Sequence, residues 1–314
     1  MNYYFLVGFI KDKGRILMFC EFAIIGTTAS GKSALALRIA QEFGGVVLSL
    51  DSLALYKLID IASAKPSRVE LESVKHFGID EIYPDENFSV GMFFEIYKRA
   101  YAYAKNLACP LIITGGSGFY LRSLLNGLTP DVPKCEINLS NAEIYDIVLS
   151  HDPEYAYKFS QNDSYRLEKW YQIYKFSGST PSRWLKENTQ EPLIKNLKIF
   201  EILWDVNEIR ERIKKRTDEM FESGLLDEAK FLFKRYDKSL NAMRSIGLKE
   251  CGEFLRGEIC KNGTDLNELK SLIATHTCQL AKRQRTFNRS QFSDKFIGSL
   301  SECENAVRAF ISAL

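Results

Sequence analysis

Gly26-Thr27-Thr28-Ala29-Ser30-Gly31-Lys32-Ser33 fits the phosphate-loop pattern G-x-x-x-x-G-K-[S/T] at every fixed position. Phe22-Ala23-Ile24-Ile25 before it reads as a buried strand, and Ala34 to Glu42 after it reads as a helix. Strand, glycine-rich turn and helix together leave few folds open. Backbone N–H groups and a helix N-terminus converge on one anion, so the loop belongs at the end of a parallel strand. Lys32 adds a full charge and the Ser33 hydroxyl can hold Mg²⁺. These features imply a bound di- or triphosphate.

The rest of the first half alternates in the way a parallel sheet with crossover helices requires. Val46 to Leu50 is a second apolar run ending at Asp51-Ser52, a helix is expected from about Gly91 to Asn106, and Leu111 to Thr114 forms a third strand running into Gly115-Gly116-Ser117-Gly118. A short helix, Phe119 to Leu125, follows. Residues 130 to about 195 lack buried-strand runs and read as a helical insertion rich in aromatic residues. A fourth strand is expected at Lys198 to Trp204, then a basic helix capped by Asp205 or Asn207 and stopped at Ser223-Gly224. Beyond it the chain reads as helical: Leu225 to Tyr236, Ala242 to Leu255, Asp265 to Arg289, and a final short helix behind a Ser301-Glu302-Cys303-Glu304 capping box.

The expected fold is therefore α/β: a P-loop NTPase-like parallel sheet with flanking helices, a helical insertion and a helical C-terminal region. Residues 18–129 and 196–314 make the catalytic core and 130–195 the insertion. Met18 lies just before the first strand, so residues 1–17 are expected to be a dispensable leader or upstream sequence from a misassigned start codon. Seven scattered cysteines form no C-x-x-C pair, which suits reduced thiols in the cytoplasm. No run approaches the length of a membrane span. The three histidines share no metal-ligand spacing and read as structural. A formal net charge of +2 is uninformative, but Arg210, Arg212, Lys214, Lys215 and Arg216 form one basic cluster, and Lys282, Arg283, Arg285 and Arg289 another.

Three strand ends carry useful groups: the loop, Asp51-Ser52 and Gly115-Gly116-Ser117. In a doubly wound sheet ligands bind beyond those ends. Asp51 could be a metal-associated carboxylate, a general base, or only a turn residue or helix cap. Ser117 could be a loop residue or a group beside a closely approaching substrate. The basic helices could contact nucleic acid or simply face solvent.

Further blocks make the chain resemble the tRNA dimethylallyltransferases. They are Asp51-Ser52-Leu53-Ala54-Leu55-Tyr56-Lys57, Ile61-Ala62-Ser63-Ala64-Lys65-Pro66, Gly115-Gly116-Ser117-Gly118-Phe119-Tyr120 and Asn162-Asp163-Ser164-Tyr165-Arg166, with Gly224-Leu225-Leu226, Arg244-Ser245-Ile246-Gly247 and Ala281-Lys282-Arg283-Gln284 after them. They run in the family's order to about residue 290. Departures are Thr27 for a usual proline, Ser63 and Ser117 for threonines, Lys169 for arginine, Gln172 for glutamate, Leu248 for tyrosine and Phe287 for tryptophan. The insertion is also shorter.

The resemblance implies transfer of a dimethylallyl group from dimethylallyl diphosphate to N6 of the adenosine 3′-adjacent to the anticodon, giving N6-isopentenyladenosine. It implies that Asp51 is the general base, that Ser117 hydrogen-bonds in the same site, and that Lys32, Arg244 and Mg²⁺ on Ser33 hold the leaving diphosphate. Asp51, Ser52, Leu53, Ala54 and Ser117, with Tyr165, Arg166, Lys169, Lys282, Arg283 and Arg285, would contact the tRNA anticodon stem-loop. The working picture is a cytoplasmic monomer with no membrane association. Three alternatives stand beside it: a P-loop small-molecule kinase, an adenylate isopentenyltransferase acting on free nucleotide, and a nucleotide-gated RNA-binding module.

Overall fold

The computed structural model describes residues 18–314; the expected leader, 1–17, lies outside the described residues. Contacts divide the chain into two compact units, one built from residues up to Arg122 and from Asn196–Leu314, the other from Ser123–Lys195.

The first unit is a six-stranded sheet: β1 (Glu21–Gly26), β2 (Val46–Ser49), β3 (His76–Phe77), β4 (Leu111–Gly115), β5 (Lys198–Ile202) and β6 (Phe296–Gly298). The spatial order is β3-β2-β4-β1-β5-β6, and every pairing is parallel. β1 is central, with Ala23 opposite Ile113 on one side and Ile199 on the other. Its residues from Phe22 on are buried, which is why it reads as a continuous apolar run.

The helix Lys32–Phe43 packs Leu35, Ala36 and Ile39 onto β1 and β5 residues Phe22, Ile24 and Phe200, with Val307 of the terminal helix Leu300–Ser312. The helix Val90–Asn106 buries Phe93, Phe94, Ile96, Tyr97, Ala100 and Ala104, the recurrence of one amphipathic face. A second cluster joins the loop after β2 (Tyr56, Ile59, Ala62) to the C-terminal helices through Leu225, Leu232, Leu248 and Ile273.

Several expected boundaries move. β3 and β6 were not expected, because two- and three-residue edge strands carry no readable period. The helix expected over Ala242 to Leu255 is broken: a 3-10 turn, Ala242–Arg244, is followed by Leu248–Leu255, with Gly247 at φ 96° between them. The last capping box uses Ser299 rather than Ser301, with Glu302 returning the bond to the Ser299 N–H. Asp205 caps the basic helix Val206–Glu222, accepting from the Asn207 N–H at 2.7 Å.

The second unit is helical: Asn141–His151, Pro153–Ala156, Ser164–Ser177 and Pro181–Asn188. Ile144, Val148, Leu167 and Trp170 form its core. Trp170 is fully buried and donates its indole N–H to Asp152 at 3.1 Å. It therefore packs the insertion and presents no face for stacking a nucleobase.

Candidate active site

The loop after β1 turns into a cradle at the start of the following helix. Gly31 sits at φ 90°, a conformation that L side chains rarely adopt. Lys32 opens the following helix, buried, and its Nζ donates to the Thr27 carbonyl at 3.0 Å. Burial pulls its amine down to about 8, the nearby Arg216 guanidinium pulls the same way, and Asp51 partly opposes both. Ser30 Oγ is buried without a hydrogen-bond partner among the described residues. Ser33 is exposed and lines the cleft.

Side chains remote in sequence brace this loop. The helix Val206–Glu222 sends Arg212 Nε to the Ala29 carbonyl at 2.7 Å and Arg216 towards Thr28 Oγ1 at 3.4 Å. Trp204 donates to the Ser30 carbonyl at 2.9 Å and stacks beneath Arg212, whose guanidinium lies 4.3 Å from its ring centroid. From the long helix Leu266–Gln291, Gln284 accepts the Thr28 N–H at 2.7 Å and donates to the Gly116 carbonyl at 3.0 Å. A methyl group on Gly116 would collide with the Gln284 amide, so the glycine lets the helix approach the end of β4.

Asp51 leaves β2 with its orientation fixed. Oδ1 accepts from the Leu53 N–H at 2.9 Å and more weakly from Ala54 at 3.3 Å, while Ser49 Oγ accepts the Asp51 N–H at 3.2 Å. Asp51 is close enough to act electrostatically on Lys32, Arg216 and Tyr120. Burial, Tyr56 and Asp51 push the Tyr120 phenol up to about 12, so it stays a neutral donor.

Two cavities meet here. One, about 480 Å³, is lined by Gly31, Lys32, Ser33, Lys65, Arg212 and Arg216. The other, about 250 Å³, is lined by Ser52, Leu53, Ser117, Met220, Ile246 and Ile273. Thr28, Asp51, Ser63, Gly116, Arg216 and Gln284 line both and form a waist between a cationic chamber and a more apolar one. A larger cleft, about 1210 Å³, runs between the helices Val206–Glu222 and Leu266–Gln291. It reaches the phosphate loop only at Thr27 and has cationic walls, Arg210, Lys214, Lys282, Arg285 and Arg289.

Thr28, Ala29, Gly31, Lys32 and Ser33 of the loop line the two chambers with Asp51 to Ala54 and Ser117, while Gly26, Thr27 and Ser30 line neither. The fold does not bring Arg244 there. Arg244 is exposed and lines a separate depression with Lys238, Lys249 and Arg256. Two guanidiniums stand beside the phosphate loop, Arg212 and Arg216; Arg216, which lines both chambers, is partly buried and pulled down by that burial. Its signal was an Arg pair four apart on the helix that follows the strand next to β1. Lys282 and Arg285 line the large cleft, with Arg285 donating to the Trp204 carbonyl, while Arg283 is exposed. In the second unit Tyr165 is 70% exposed, Arg166 pairs with Asp163 at 2.8 Å, and Lys169 lies 3.6 Å from Asp131.

No group of three or more His, Cys, Asp or Glu residues among those described could hold a metal. Ser33 and Asp51 are hard-oxygen donors in the cleft, whose lining also includes Ser49, Ser63, Glu70 and Glu219. One or two protein oxygens completed by diphosphate and water is the pattern Mg²⁺ accepts, so the residues fit that ion. No described helix is long and apolar enough to cross a membrane.

The family model described as IPP transferase matches residues 54–291. A protein named tRNA dimethylallyltransferase from Campylobacter curvus is 70% identical over 94% of this chain and 98% of its own length. Among solved structures, tRNA delta(2)-isopentenylpyrophosphate transferase from Staphylococcus epidermidis is 27% identical with a TM-score of 0.64, covering 94% of this chain and 99% of its own. A eukaryotic dimethylallyltransferase acting on tRNA shares the fold at a TM-score of 0.74, with 24% identity over 94% of this chain and 80% of that one.

Proposed function

The chain belongs to the IPP transferase family, and on that premise we propose how it transfers a dimethylallyl group from dimethylallyl diphosphate to N6 of the adenosine 3′-adjacent to the anticodon in tRNA. The observation that carries this reading is the waist, where a phosphate-binding chamber and a more apolar chamber share one carboxylate and one guanidinium.

The diphosphate would lie in the cationic chamber against the loop N–H groups, Lys32 and Arg216. Ser33 would hold Mg²⁺, which would supply further positive charge there. As N6 bonds to C1 of the allyl group, the C1–O bond breaks and its electron pair leaves on the diphosphate. Fixed positive groups aimed at that developing charge lower the barrier without reorganising. Arg216 takes the role that the family resemblance suggested for Arg244, because it stands beside Lys32 and Thr28.

The N6 lone pair is conjugated with the purine, so the amine needs close positioning and a base. Asp51 would take its proton through Oδ2, since Oδ1 is held by backbone N–H groups. Ser117 would hydrogen-bond the incoming base in the smaller chamber, with Ser52 and Leu53 around it and Ala54 on the cationic side of the waist. An adenosine stacked in its loop cannot reach this depth and would enter flipped out. Lys282 and Arg285 at the large cleft and Arg283 beside it would meet tRNA phosphates, and Tyr165, Arg166 and Lys169 would contact the stem-loop from the insertion, 130–195. The protein is taken to work as a cytoplasmic monomer.

The test incubates the protein with dimethylallyl diphosphate, Mg²⁺ and an anticodon stem-loop bearing adenosine 3′ of the anticodon, with mass detection. One dimethylallyl group on the RNA is expected. Transfer only to free adenine nucleotide, or phosphate moved from ATP to a small molecule, would overturn the reading.

A further inference from the structure

Glu228 stands in the first turn of the helix Leu225–Phe233, and its carboxylate serves a single distant loop. Oε2 accepts the N–H groups of Asp60 at 2.8 Å and Ile61 at 2.7 Å, and Oε1 accepts that of Ala62 at 2.9 Å. Successive N–H groups converging on one anion form a nest, a concavity that commonly takes phosphate. Here the protein fills it with its own side chain.

The same loop is tied at other points. Lys65, its side chain 4% exposed, reaches the Tyr56 carbonyl at 2.8 Å, Asp60 at 2.7 Å and Asp80 at 2.6 Å. Ser63 Oγ donates to the Ile59 carbonyl at 2.6 Å. Among these ties Ala64 is held at φ 48°, the left-handed region that a residue with a Cβ disfavours. Such a conformation persists only where its surroundings over-determine it.

This loop forms part of the cleft. Ser63, Ala64, Lys65 and Pro66 line the cationic chamber, and Ala62 and Ser63 line the smaller one. Glu228 lines neither. Its helix follows the Arg216 helix after the Ser223-Gly224 turn, with Gly224 at φ 98°. One helical hairpin therefore delivers Arg216 to the diphosphate side and fixes the 60–66 loop through Glu228.

We propose that Glu228 is a positioning residue that fills the Asp60–Ala62 nest and so holds the 60–66 lining in shape before the diphosphate donor arrives. The inference rests on reading the cationic chamber as the donor site. It acts through preorganisation, which lowers the ordering cost of binding.

Two variants test it, Glu228→Ala, which removes every acceptor, and Glu228→Gln, which keeps the shape and one acceptor oxygen. Amide hydrogen exchange over residues 59–66, calorimetric binding of inorganic diphosphate with Mg²⁺, and steady-state kinetics are compared with wild type. Exchange at Asp60, Ile61 and Ala62 should speed up, more in the Ala variant. Diphosphate affinity should fall about tenfold and the donor KM should rise by a similar factor, with kcat within about threefold. Stem-loop affinity should fall far less than diphosphate affinity, because only Ala62 and Ser63 of this loop line the smaller chamber. Unaltered diphosphate affinity in folded Glu228→Gln and Glu228→Ala would overturn the proposal, and so would an equal loss of stem-loop affinity, which would mark general damage. Exchange and inorganic diphosphate binding do not depend on prenyl transfer. A wild-type protein that moves no dimethylallyl group would count against the functional reading, while these two measurements still decide the role of Glu228.

Discussion

Arg216 and Arg244 are both arginines of the C-terminal half, yet only Arg216 stands beside the phosphate loop. Arg216→Ala is expected to lower kcat by about 10² to 10³, the scale for removing a group aimed at developing charge. Arg244→Ala should leave the donor KM within about twofold of wild type, because its side chain lines another depression. Steady-state kinetics in both substrates separate the two. Lys32 adds a pH signature. Its amine titrates near 8 in the free protein. An anion binds the charged form, so diphosphate affinity should fall as pH rises through that value. The stability effect has the opposite sign. A lysine with a folded value below its unfolded one binds fewer protons when folded, so it destabilises the fold fully below about 8 and progressively less as pH rises from there towards 10.5. A diphosphate titration across pH 7 to 9.5 or so checks the binding arm. The phosphate loop was legible in the sequence because its pattern is local. Arg216 was not, because its place depends on β5 lying beside β1 and on the helix after it turning back over the loop.

Elements follow the same division between local and long-range causes. The helix Lys32–Phe43 and the strands β1, β2 and β4 were readable from apolar runs and glycine punctuation, since each is buried on the sheet. β3 and β6 are too short to show a period, and only their pairing with β2 and β5 defines them. Gly247 interrupts an otherwise helical pattern because its φ of 96° turns the chain before Leu248, while Glu250 receives its N–H at 2.7 Å. The sequence pattern alone places the terminal capping box two residues late, since both frames put an acidic residue at the third position after a serine. Ser299→Ala should therefore cost about 1 kcal/mol in denaturant unfolding, whereas Ser301→Ala should be near neutral. Gly116→Ala would push against Gln284 of the long helix and disturb the waist. It should lower kcat while the protein stays folded, as circular dichroism with single-turnover kinetics would show.

At the scale of the whole molecule, a net charge of +2 conceals a strongly uneven surface. The large cleft is walled by Arg210, Lys214, Lys282, Arg285 and Arg289, and Lys282 and Arg289 are exposed with no ion pair among the described residues. If this cleft meets tRNA phosphates, Lys282→Ala and Arg289→Ala should each weaken stem-loop binding and reduce the slope of log affinity against log salt by about 1. Dimethylallyl diphosphate binding should not change. We place the chemistry at the waist shared by the two chambers, with Asp51 taking the N6 proton and Arg216 steadying the leaving diphosphate. Single-turnover transfer to the anticodon stem-loop, run for wild type and Asp51→Asn with both substrates saturating, tests it most directly. Loss of about 10² to 10⁴ in the transfer rate, with stem-loop and diphosphate affinities retained, is the predicted result. A transfer rate within a few-fold of wild type would contradict the assignment of Asp51 and with it the placement of the reaction at the waist.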